Sequence, residues 1–126
     1  MVVLSREGSF IDSRSFDTHR YHTKFDEMGA FIDSLSDNVI VLIAVKDEGW
    51  HGGDAAESAK QGADHQLLQL GAINPRPSGW RASWALVGYK GPHDQLDWIR
   101  FAEASAAQGP SEITVKIPFL SHHGCA

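Results

Sequence analysis

The stretch Val39-Ile40-Val41-Leu42-Ile43-Ala44-Val45 decides how this chain is read. Seven consecutive apolar residues, five of them β-branched, do not alternate as a half-exposed strand would. They predict a central strand covered on both faces. The run is far too short to cross a bilayer as a helix.

Immediately before it, Phe25, Met28, Phe31, Ile32 and Leu35 recur at spacings of three and four. That puts one apolar stripe on a helix, with Thr23 as a candidate cap and Ser36-Asp37-Asn38 as its end. Immediately after it, Lys46 to Gly53 reads as a loop, and Asp54 is suited to cap a second helix. Ala55, Ala59, Ala63, Leu67 and Leu70 line that helix's inner face, and Gly71 is a natural stop. Two prolines make Ala72 to Gly79 irregular. Arg81 to Tyr89, with Trp84, Leu86 and Val87, is a second buried strand, broken by Gly91-Pro92.

Further out, Val2 to Leu4 and Phe10 to Phe16 flank Glu7-Gly8-Ser9 as a hairpin, with Phe10 and Phe16 on one side and Ile11 off the pattern. Leu96 to Ala107, with Trp98, Ile99 and Phe101, reads as a short helix or turn. Glu112 to Phe119 alternates as a last strand, with Ile113, Val115 and Ile117 on one face. The resulting order is β-β-α-β-α-β-β. This is an α/β (α+β) domain, a compact mixed sheet with two main helices, over residues 1–120 with a frayed tail at 121–126.

At 126 residues the chain is one domain with room for a core of its own. Its net charge of -5 and lack of any basic run argue against nucleic acid as the main partner. A lone cysteine, Cys125, allows no disulfide within the chain. The opening MVVLSREGSF reads as mature protein rather than a signal peptide. No stretch is long and apolar enough for a membrane span, and nothing assigns a compartment.

Three strand-end stretches carry candidate chemistry: Arg14-Ser15-Phe16-Asp17-Thr18, Lys46-Asp47-Glu48-Gly49-Trp50 and Gly79-Trp80-Arg81-Ala82-Ser83-Trp84. Loops at strand ends present side chains without burying them. The residue types suit a sugar, whose apolar face stacks on an aromatic ring and whose hydroxyls need paired donors and acceptors. Trp50, Trp80 or Trp84 supplies a ring, Asp47 accepts hydroxyl hydrogens, and Arg14 and Arg81 donate forked bonds. Each has a plainer reading: Trp84 as core, Asp47 as a turn cap, the arginines as surface ion pairs.

Catalytic patterns are weaker. Asp47 and Glu48 are neighbours in extended chain and point apart, unlike a glycosidase pair. None of the seven histidines falls in a zinc spacing, His19 and His22 being the nearest pair, and no serine sits in a nucleophile elbow. No cofactor and no catalysis are expected.

In their order and spacing, RSFDT, VIVLIAVKDEG, the alanine-rich helix ending in LLQLGA, and GWRASWALVGYKG resemble the interleukin-like EMT inducer (PANDER-like) domain family, over Val2 to Phe119. The closest motif match is to the stem domain of protein O-linked-mannose N-acetylglucosaminyltransferase. The resemblance implies a sugar-binding module for β-linked N-acetylglucosamine, with Arg14, Asp47 and Arg81 as contacts. Trp50 and His51 stand where other members carry small or different residues, so the pocket rim differs. Secreted animal members carry disulfides and signal peptides; modules of this type also occur in bacterial and phage proteins, including tail fibres, and a disulfide-free chain without a signal peptide fits that setting better. The function expected is glycan recognition or adhesion, as a cell-surface or phage tail component that works as a homo-oligomer. The alternative is a non-catalytic protein-interaction module of a virion or larger assembly, with Trp50, Trp80, Trp98 and Phe101 as anchors.

Overall fold

The computed structural model describes residues 1–16, 24–45, 57–75, 82–93 and 96–121. The elements are β1 (Val2–Ser5), β2 (Phe10–Ser13), α1 (Lys24–Ser34), β3 (Val39–Val45), α2 (Glu57–Leu70), β4 (Ser83–Lys90) and β5 (Arg100–Ala104), followed by one 3-10 turn, Ala106–Gln108. This is the β-β-α-β-α-β-β order of an α+β domain. The five strands form one sheet in the order β2-β1-β3-β4-β5.

Every pairing in the sheet is antiparallel, a narrower arrangement than a mixed sheet. The crossover through α1 exists all the same. β2 and β3 run in the same direction, since each is antiparallel to β1, which lies between them. The connection through α2 leaves and rejoins the sheet at the same end, because Val45 at the end of β3 faces Trp84 at the start of β4.

The central strand is β3, with Ile40 and Val41 fully buried on opposite faces. On one face Val39 and Val41 pack with Val3, Trp84 and Leu86 against both helices, through Phe25, Met28 and Ile32 of α1 and Ala63, Leu67 and Leu70 of α2. These are the apolar stripes that the helical spacing predicts. The α2 end is a hydrogen-bonded stop. Gly71, at φ 114°, donates to Leu68 O at 3.1 Å and Ala72 donates to Leu67 O at 3.1 Å, so left-handed backbone closes the last turn. The α1 end is closed from outside the helix: Lys90 Nζ donates to the carbonyls of Ile32 (2.8 Å), Asp33 (2.8 Å) and Leu35 (2.6 Å). A cation there also offsets the negative end of the helix dipole.

On the other face Ile40, Tyr89 and Trp98 form a second cluster, joined by Leu4, Leu42, Val87, Leu96, Ile99, Val115 and Ile117. Here three expectations are corrected. Residues 96–107 hold strand β5 rather than a helix, because Arg100–Ala104 finds the open edge of β4. Glu112 to Phe119 is extended with alternating exposure, as its pattern predicts, but it joins no ladder. It lies across the second face as a strap, burying side chains without pairing as a strand.

The hairpin supplies the third correction. Val3 pairs with Asp12 but Leu4 with Phe10, so the register shifts and Ile11 is the extra residue of a bulge. Phe10 therefore lies opposite Leu4 of the second cluster, whereas Phe16 packs against Phe31 on the helix side, their ring centroids 5.9 Å apart. They do not share a face.

Candidate functional site

The three predicted stretches leave the sheet at one end. Val2 pairs with both Ser13 and Leu42, and Ser83 and Trp84 lie beside the last residue of β3. The end of β2, the end of β3 and the start of β4 thus share an edge. Strands lie about 4.8 Å apart, so β2 and β4 are roughly 14 Å apart across that edge. Arg14 sits at its β2 corner. Asp47, Trp50, Trp80 and Arg81 lie outside the described residues, as do His19, His22 and the Asp54 cap. Asp47 is two residues beyond Val45, and Arg81 two before Ser83.

Arg14 is held from its backbone outward. Its N–H donates to Met1 O at 2.9 Å, and its carbonyl accepts from the Met1 ammonium at 2.8 Å. Burial lowers the pKa of that ammonium below its ordinary value, since desolvation disfavours the charged form. The Arg14 Nε donates to Asp12 Oδ2 at 3.3 Å, and the guanidinium carbon lies 5.0 Å from the centroid of the Phe31 ring. Each contact is weak in an exposed setting, up to ~1 kcal/mol. Together they fix the plane of the group. Asp12 takes the Nε edge and Phe31 one flat side, while among the described residues Nη1 and Nη2 have no hydrogen-bond partner.

Asp12 and Phe31 are the site-supporting residues that sequence reasoning missed. The Asp12–Arg14 pair follows from the two-residue period of a strand. The Phe31 contact joins α1 to the sheet and has no sequence signal beyond its place on the inner helical stripe.

Several aromatic candidates are structural instead. Trp84 is 2% exposed, its indole N–H donating to Asn74 O at 2.6 Å and its ring edge-on to Phe101 at 5.4 Å. That settles it as core, because a buried indole needs both apolar contact and a partner for its N–H. Trp98 is also 2% exposed and stands edge-on to Tyr89 at 5.8 Å, and Phe101 packs on the first cluster. Trp98 is thus core, while Phe101 is half-buried. Among the described residues no group of three or more His, Cys, Asp or Glu is arranged to hold a metal ion. Among them, too, no helix is long and apolar enough to cross a membrane.

This antiparallel sheet with both helices on one face belongs to a known class. The sequence matches the interleukin-like EMT inducer family over residues 1–92, and the chain belongs to that family. The match spans β1 to β4 and both helices, and it ends before β5 and the strap.

Proposed function

We propose that this chain is a non-catalytic carbohydrate-binding module, with a glycan held at the sheet edge from which the three stretches depart. The observation that carries the reading is the shared edge: β2 ends, β3 ends and β4 begins there. Asp47 follows the end of β3 by two residues, and Arg81 precedes the start of β4 by two. The Nη edge of Arg14, without a hydrogen-bond partner among the described residues, suits forked donation to sugar oxygens. Trp50 or Trp80 supplies the stacking ring. In this reading the module serves adhesion or a phage tail, with avidity from several copies.

The test is a glycan array followed by titration of the best ligand. Arg14→Ala, Asp47→Ala and Arg81→Ala each weaken binding at least about tenfold, the loss of one charge-assisted bond, with unchanged thermal midpoints. Unchanged affinity in both Asp47→Ala and Arg81→Ala removes the site.

A second reading, a protein-interaction module of a larger assembly, is favoured by exposed apolar side chains near the hairpin. Phe10 is 66% exposed, Ile11 49%, Phe119 51% and Leu120 56%. Such groups mark association surfaces when contiguous. A Phe10→Ser, Leu120→Ser double variant that disperses an oligomer while leaving glycan binding intact separates the two readings.

A further inference from the structure

The second face of the sheet is closed by chain that lies beyond the family match. Residues 93–121 follow the matched span, and from them come Trp98, Val115 and Ile117 of the second cluster. The strap, residues 110–121, begins after Gly109, which has φ 88° and open space where a Cβ would be. It is fastened near its two ends. At one end Ser111 N donates to Ser83 Oγ at 2.6 Å. At the other, Arg6 acts three ways: its carbonyl accepts from Leu120 N at 3.0 Å, its Nη1 donates to Pro118 O at 2.6 Å, and its guanidinium lies 5.2 Å over the Trp98 ring. Phe119 rests on Gly8, where a Cβ would come within 2.9 Å of the ring.

Between these fastenings, residues 112–117 make no hydrogen bond among the described residues and alternate between exposed and half-buried. Segments with few buried contacts and no ladder open at lower free energy than the strands beside them. Beneath lies an apolar face of Leu4, Ile40, Leu42, Val87 and Tyr89, which fits an extended segment with branched side chains two residues apart, as Val115 and Ile117 are.

We propose that residues 110–121 form a detachable strap, clasped by Arg6, that opens as a unit while the sheet stays folded and so gates this apolar face. The occupant of the face is the strap itself. Opening withdraws Val115 and Ile117 from the cluster of Ile40, Tyr89 and Trp98, and Arg6 sets how often that happens. The argument is independent of the glycan reading, since it uses none of the strand-end residues.

Lys116, exposed in the middle of the strap, provides the test. The full chain is treated with trypsin under native conditions, and release of the fragment from Ile117 onward is followed by mass spectrometry across a urea series. Cleavage is expected to proceed with a urea dependence far shallower than that of global unfolding. Arg6→Met is expected to speed it at least tenfold without moving the global midpoint, and Arg6→Lys by less. Cleavage that tracks global unfolding with its full slope overturns the proposal. So does an equal cleavage rate in wild type and Arg6→Met, or an acceleration matched by the same loss of global stability. Should Arg6→Met fail to fold, the wild-type urea slope decides alone.

Discussion

The two faces of the sheet are built from different kinds of chain. The helix side is covered by α1 and α2, whose backbones satisfy their own hydrogen bonds, so each helix can commit a whole apolar stripe to the core. The strap side is covered by extended chain that joins no ladder and contributes mainly side chains. The helices bury covering residues such as Phe25, Ile32 and Leu70 fully, whereas the strap leaves its own Val115 and Ile117 half-buried. Burial of the same residue types therefore stabilises the two faces unequally.

Trp84→Ala should cost most, about 3–5 kcal/mol, by emptying the helix-side core and freeing the Asn74 carbonyl, as read by urea unfolding. A cost under about 1 kcal/mol would break the comparison. Lys90→Met should cost about 2 kcal/mol, because the carbonyls of Ile32, Asp33 and Leu35 at the end of α1 lose a charged donor. Exchange of the α1 amides should rise with it, whereas the β1–β2 amides should not change. On the strap side, Val115→Ala should cost no more than about 1 kcal/mol, two half-buried methyls. A loss as large as that of Trp84→Ala would show the strap to be as tightly built as the helix face.

The smallest effect concerns the clamp on Arg14. Burial lowers the Met1 ammonium pKa, so the folded chain binds that proton less well than the unfolded chain. Its contribution to stability must then rise with pH through the window between the lowered value and the ordinary one near 8.0. Below that window the penalty is complete. Acetylating the amine should abolish this part of the pH dependence, measured as the difference between acetylated and free chains.

The same contrast explains what could be read in advance. β3, α1 and the end of α2 were legible because their side-chain periods match the faces that they bury, and Gly71 marks a stop that left-handed backbone requires. β5 was not, because Arg100-Phe101-Ala102-Glu103-Ala104 has no strand signature of its own and pairs because β4 has a free edge. The bulge at Ile11 was visible as a break in alternation, but its effect on Phe10 needed the register with β1. At the candidate site the residue types could be named from the sequence. The shared strand-end edge and the grip of Asp12 and Phe31 on Arg14 could not.

By itself the sequence determined α1, the inner stripe of α2 and the central strand β3, since hydrophobic period is a local property of the chain. It also determined the family, through motifs that are contiguous in residues 1–92. Only the tertiary structure decided the strand order, the all-antiparallel pairing, the donor that closes α1 and the strap across the second face. Those depend on which distant backbone groups find partners, and side-chain pattern along one segment carries no record of that.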